Sequence, residues 1–203
     1  MIVIFIILLS MKFASSLILN KNQMNGLFQR IMENNLINDK ILKSEFLPFK
    51  VDDDTLGYCR IDFAKVLESF EDVFIVNNKN EIEFHNSIKT FNSDDKTKEV
   101  AKVALSLKQQ GIINGWRDEL FPVCDNFSSK PKFLIERAAY ASFGVRGYGV
   151  HVNGYVKHYN GDISLWVARR SSTKQTWPGM LDHIVAGGQP YGISPTKNVV
   201  KEC

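Results

Sequence analysis

Polar chemistry gathers toward the end of this 203-residue chain. Ala186-Gly187-Gly188 follows an apolar run and precedes Ser194-Pro195. Glycines between a strand and a helix start let backbone come close to a ligand or an ion. Upstream, Arg169, Arg170 and Lys174 stand in a polar loop closing at Pro178-Gly179. Their cationic groups could hold phosphate oxygens. Trp177 could stack on a flat ring, although packing or anchoring of the loop is its plainer role. Asp182 and His183 adjoin the glycines, but no Ser or Cys stands in a nucleophile-elbow setting. Asp52-Asp53-Asp54 could suggest a magnesium site. Between two apolar stretches it reads more simply as an acidic turn.

These residues need elements to position them. The alternation Tyr148–His158, with Val150, Val152 and Val156 on one face, predicts a strand. Asn160-Gly161 predicts a tight turn, and Ile163–Ala168 a returning strand. MLDHIVAGG predicts a strand running into the double glycine. Ser194 as N-cap with Pro195 at the first helical position predicts a helix to Cys203, with Val199 and Val200 on its apolar face. Further upstream, Asn22–Ile37 has a helical stripe of Met24, Leu27, Phe28, Ile31 and Leu36. Phe46–Tyr58 predicts a hairpin about the Asp triplet, Ile61–Phe70 a short helix, and Val73–Phe84 a second hairpin about Asn77–Asn80. Ser93 or Asp94 would cap a helix running through Gln110, with Val100, Val103, Ala104 and Leu107 inward and Gly111 ending it. The first half therefore reads as α+β, with no Gly-rich phosphate loop and no metal cluster of its own.

Composition narrows the class. Hydrophobic residues at 44% and charged residues at 23% are those of a globular protein with a real core. A net charge of +3 is too small for a dedicated binder of a nucleic-acid polymer. The three cysteines, Cys59, Cys124 and Cys203, are far apart and form no C-x-x-C pair, which predicts reduced thiols, two of them in the core. Met1–Leu9 is apolar but too short for a stable membrane span. With no positive charge before it, the segment of residues 1–20 reads as a leader or as spurious upstream sequence. A cytoplasmic location is the expectation. The secretory pathway or an organelle is the alternative if residues 1–16 are a targeting segment. The oligomeric state is open.

VAGGQPYGISPTKNVVKEC resembles the front of a Nudix box, G-x5-E-x7-R-E-U-x-E-E-x-G-U with U aliphatic. Lys201-Glu202-Cys203 matches R-E-U, SPTKNVV supplies the seven residues before it, and Gly187 or Gly188 matches the first glycine. RGYGVHVNGYV, LWVARRSSTKQTWPGMLDHIVAGG, LGYCRIDFAKVLESFEDVF and GWRDELFPVC-x8-FLIERAA extend the similarity from about Phe46 to Cys203. Together these blocks resemble the Nudix subgroup related to the Nudix part of fungal thiamine pyrophosphokinases. That subgroup includes plant chloroplast members with an extra N-terminal domain.

The resemblance implies an α+β N-terminal domain over 21–130, followed over 131–203 by the first part of a Nudix α/β/α sandwich. It implies metal-dependent cleavage of a diphosphate linkage with Mg2+ or Mn2+. Glu202 would be a metal-ligating catalytic glutamate and Lys201 would take the place of the box arginine. Arg169, Arg170, Lys174, Gly187 and Gly188 would face a small-molecule diphosphate. The implied substrate is thiamine diphosphate or an oxidised form, converted to the monophosphate. Alternatives are an oxidised nucleoside diphosphate such as 8-oxo-dGDP, a non-catalytic binding protein with a degenerate box, or the front module of a thiamine pyrophosphokinase fusion. Two departures stand out: Ile193 occupies the place of the pattern's first glutamate, and the x-E-E-x-G-U portion does not follow Cys203. The expectation from the second is a chain truncated inside the box, with an incomplete sandwich that exposes apolar faces.

Overall fold

The computed structural model describes residues 3–5, 22, 25–26, 28–30, 32, 39–127, 129–174 and 177–203. Most of the apolar leader and most of the Asn22–Ile37 stripe lie outside the described residues. In the leader, β1 (Val3–Phe5) is a short strand. The described residues between 22 and 32 are helical, but Phe28 is exposed, so this member of the predicted stripe enters no core.

The chain divides into two compact units. One comprises 37–148 with 190–192, and the other 149–189 and 193–203 with the residues before 37. Both mix helices and sheets, so the α+β expectation holds at that level.

The front unit starts with α1 (Asp39–Glu45) and the hairpin β2 (Phe46–Val51) and β3 (Asp54–Arg60). Asp52 and Asp53 make the predicted turn, where Asp52 takes a left-handed φ of 56°. The carboxylates serve a local ion cluster: Lys132 Nζ lies 2.9 Å from Asp52 and 3.0 Å from Asp54. Next come α2 (Ile61–Leu67), a 3-10 turn (Glu68–Phe70), and the hairpin β4 (Phe74–Val76) and β5 (Ile82–Phe84). The four strands form one sheet in the order β3-β2-β5-β4. A single turn of helix, α3 (Asn86–Lys89), leads to α4 (Ser93–Gln109). The cap of α4 is Asn92 rather than Ser93 or Asp94, its side chain accepting from Asp95 N at 2.9 Å. One residue of shift is enough, because Asn92 has the extended backbone that a cap needs. Val100, Val103, Ala104 and Leu107 are buried as predicted, against β7 (Phe133–Glu136), which pairs with β6 (Leu120–Val123).

Phe49 centres this core, with its ring 5.9–6.3 Å from those of Phe74, Phe84, Phe133 and Phe143. Edge-on arrangements of this kind add to the burial of large apolar area. A close backbone crossing locks the core: Tyr58 N donates to Gly144 O at 2.9 Å. A Cβ on Gly57 would overlap Gly144 O, and one on Gly144, at φ 68°, would overlap Tyr58 O. Only glycine fits either position. Cys59 and Cys124 are buried and free, as predicted, and Cys203 is free and exposed.

The back unit breaks each of its three predicted strands: Ile163–Ala168 and Met180–Gly188, like Tyr148–His158, each divide into two short strands in different sheets. The Tyr148–His158 alternation breaks into β8 (Gly149–Val152) and β9 (Tyr155–Lys157), separated by Asn153-Gly154. β8 lies between β1 and β13 (Val185–Gly188), whereas β9 pairs with β10 (Ile163–Leu165) across the Asn160-Gly161 turn. Val150 and Val152 are buried whereas Val156 is half-buried, and the hydrogen-bonded partner changes across the break. β11 (Ala168–Arg169) and β12 (Leu181–Asp182) form a third small ladder. Finally α5 (Pro195–Glu202) packs on β13 and β8. Its core is small, with Val150, Val152 and Val199 buried and Ile184 and Val185 against them. Ile163, Leu165, Val167, Met180, Leu181 and Val200 are exposed.

Candidate functional site

The end of β13 and the inner face of α5 form the site. Ser194 caps α5 as predicted, accepting from Lys197 N at 3.3 Å, and Pro195 opens the helix. From that start, residues 198, 199 and 202 share one face. Val199 is buried against Val150 and Val152, whereas Val200 is 72% exposed, contrary to the predicted apolar face. The buried neighbour is Asn198 instead. The polar pair Gly188 and Gln189 decides this, because Asn198 Nδ2 donates to Gly188 O at 2.8 Å and to Gln189 Oε1 at 3.3 Å. Asn198 Oδ1 is buried without a partner. Gln189 Nε2 in turn donates to Ile193 O at 2.7 Å and closes the loop before the helix.

Glu202 lies against the strand. A Cβ on Gly187 would come within 2.5 Å of Glu202 Cγ and Oε2. The glycine therefore makes room for the carboxylate. Lys201 Nζ lies 3.7 Å from Glu202 Oε1. Gly187, Gly188, Lys201 and Glu202 are thus brought together, although Glu202 and Gly187 stand on different elements.

The three upstream cations are placed otherwise. Arg169 Nη1 donates to Gly179 O at 2.8 Å. Arg170 pairs with Asp182, and this guanidinium holds the Asp182 carboxyl below the ordinary aspartate range. Both arginines brace their own hairpin, while Lys174 stands exposed in its loop. Trp177 is 74% exposed, so it does not pack as the plainer reading had it.

His183, named from the sequence, meets a histidine that the sequence reading did not single out, His151 of β8. The rings of His151 and His183 meet edge to face at 4.7 Å. Burial, then the neighbouring His183, pushes the His151 imidazole below its ordinary value. Its Nδ1 is buried without a partner. His183 Nδ1 meets Asn153 Oδ1 at 2.6 Å, and the Asp182 carboxylate binds Arg170 and the His183 backbone N–H. This is not a triad. Of the missed residues, only Asn198 had a signal: its spacing to Val199 and Glu202.

Among the described residues no group of three or more His, Cys, Asp or Glu could hold a metal ion. A hard divalent ion takes several oxygens, and Glu202 supplies one carboxylate. The described residues alone do not fit a complete Mg2+ or Mn2+ site. Among them, no helix is long and apolar enough to cross a membrane.

Residues 26–147 match a family model described as a domain of unknown function, DUF4743. That is more than half of the chain, which belongs to this family. The match nearly coincides with the front unit, and the site lies beyond it. The chain is also similar to two Arabidopsis thaliana proteins, Nudix hydrolase 20, chloroplastic, and Nudix hydrolase 24, chloroplastic. Each is 40% identical over 91% of this chain, covering 50% and 49% of the plant proteins. An uncharacterized protein of Saccharomyces cerevisiae is 50% identical over 44% of the chain and 26% of its own length. The chain spans about half the length of the curated relatives it matches.

Proposed function

We propose that the back unit carries part of a Nudix-type site that hydrolyses a diphosphate linkage in a small molecule, thiamine diphosphate or an oxidised form of it, to the monophosphate. The observation that supports this most is Glu202 seated over Gly187, with Lys201 beside it. A backbone bared by glycine and a carboxylate on the facing helix are what binding of a metal-bound diphosphate needs. The names of the two plant relatives support the same reading. Glu202 is proposed as one donor to Mg2+ or Mn2+, the other donors not being among the described residues. The sandwich of the Nudix family is proposed for 131–203, after the α+β domain at 21–130. Arg169, Arg170 and Lys174 are proposed to face the phosphates, which for Arg170 requires competition with Asp182.

The test is a panel of thiamine diphosphate, oxidised thiamine diphosphates and 8-oxo-dGDP with Mg2+ or Mn2+. Phosphate release is read by 31P NMR, and binding by amide shifts at Gly187 and Gly188. Release of monophosphate that falls at least tenfold in Glu202→Gln supports the proposal. Binding without turnover favours the non-catalytic role, and indifference to every diphosphate sinks both. An organelle is proposed as the location rather than the cytoplasm, supported by the chloroplastic names of the plant relatives. Fusion of residues 1–36 to a fluorescent protein tests it, and diffuse cytoplasmic fluorescence would refute it.

A further inference from the structure

A second site is built into the front unit, independent of the proposed diphosphate chemistry. In the sheet, β5 meets β2 at Phe49, so Phe46–Pro48 run past the end of β5. The gap they leave is a cleft of about 510 Å³, within the range of small-molecule sites. Its floor is apolar, made by Phe46 and Leu47 of β2, Ile61 and Ala64 of α2, and Val76 of β4.

Three ammonium groups surround that floor: Lys43 from α1, Lys65 from α2 and Lys79 from the β4–β5 turn. One carboxylate, Glu68, opposes them. All three lysines are exposed, and among the described residues none is held in an ion pair. Lys79 feels the field of Glu81, but Lys50 already binds Glu81 at 2.8 Å. Hydrogen bonds close the turn carrying Lys79: Asn77 Oδ1 accepts from Lys79 N at 2.8 Å and Glu81 N at 3.1 Å. Elsewhere in this unit lysines meet carboxylates closely, as Lys89 does Glu83 at 2.6 Å and Lys132 does Asp52 at 2.9 Å. Three lysines with no ion-pair partner among the described residues thus line this one cleft.

We propose that the cleft binds a small molecule with an apolar body and an anionic head group, phosphate or carboxylate. The body lies on Phe46, Leu47, Ile61 and Val76, and the head reaches Lys65 and Lys79 at the rim. Neither part suffices alone, because exposed ion pairs contribute little in water and an open apolar cleft has little selectivity.

The 15N-labelled chain is titrated with 1-naphthyl phosphate, 1-naphthoate, the neutral 1-naphthol and inorganic phosphate. At least one aryl anion is expected to shift the amides of Leu47, Lys65 and Val76 and to bind about tenfold tighter than 1-naphthol or inorganic phosphate. The tighter of the two anions identifies the head group. The double variant Lys65→Gln, Lys79→Gln should weaken that anion about tenfold and leave 1-naphthol unchanged. Both lysines are exposed, so the variant should keep its fold, which the same spectrum checks. Equal affinity for 1-naphthol, equal affinity for inorganic phosphate, or shifts that miss these amides would each overturn the proposal.

Discussion

The two units bury apolar residues very differently. In the front unit, rings from three strands and from the turn at Phe143 converge on the ring of Phe49, which is 0% exposed. In the back unit the buried apolar cluster is Val150, Val152 and Val199, and larger residues such as Leu165, Met180 and Leu181 face solvent. Residues with shape-critical chemistry lie in the second, sparser unit: Glu202 over Gly187, and the two orphaned buried atoms on Asn198 and His151. Dense apolar packing and orphaned buried polar atoms thus fall in different units. A fold can hold firmly through one unit while the other keeps backbone and polar groups accessible.

The largest expected effect is Phe49→Ala. It removes the ring at the centre of the front core and should cost about 3–5 kcal/mol of unfolding free energy in urea. Val199→Ala, in the back unit, should cost no more than about 2 kcal/mol. Equal costs would erase the contrast.

Thiol chemistry gives the next test. Burial pushes the Cys59 thiol up to about 12 and raises that of Cys124. Thiolates are the reactive form. A disulfide reagent at neutral pH should therefore modify Cys203 alone, with Cys59 and Cys124 reacting only after denaturant is added. Rapid reaction of Cys59 in the native protein would contradict the tight front core.

Hydrogen exchange should sort the amides in the same way. Val100 and Val103 in α4 should exchange on the order of a hundredfold more slowly than β9 to β12. Uniform protection would merge the two units into one cooperative block.

Within the back unit, Gly187→Ala should displace the Glu202 side chain. The expected cost is about 1 kcal/mol, because a glutamate can swing aside. Adding Glu202→Ala should recover most of it in a double-mutant cycle. A strictly additive result would mean that the carboxylate does not rest on the glycine.

The smallest effect concerns acid. The folded Asp182 carboxyl titrates below its ordinary 3.8, chiefly because Arg170 binds it. Its stabilisation is therefore present above that value and is lost as pH falls through the lower folded one. Asp182→Asn should flatten this part of the acid limb by under about 1 kcal/mol, since the pair is partly exposed. An unchanged slope below pH 4 would show that the pair contributes nothing.

Much of the fold was legible where structure is local. Asp52-Asp53, Asn77–Asn80 and Asn160-Gly161 turn the chain because their own side chains and backbone freedom suit tight turns. The stripe of α4 and the Ser194-Pro195 start of α5 follow from spacing and capping alone. The site was legible in part: Gly187, Gly188, Lys201 and Glu202 could be named, but not Asn198. Nor could the sequence distinguish phosphate-facing arginines from arginines engaged by Asp182 and the Gly179 carbonyl. Both uses require a cation in a polar loop.

By itself, then, the sequence determined where helices and turns begin, which residues alternate, and that three thiols are too distant in sequence to form a C-x-x-C motif. The tertiary structure decided which neighbours those elements meet. It split each predicted strand of the back unit between two sheets, turned Asn198 inward in place of Val200, and brought Gly57 and Gly144 into backbone contact. Turn and cap preferences arise from a residue's own dihedrals and nearest donors. Facing and close approach depend on surfaces contributed by residues far away in the chain, which no local pattern contains.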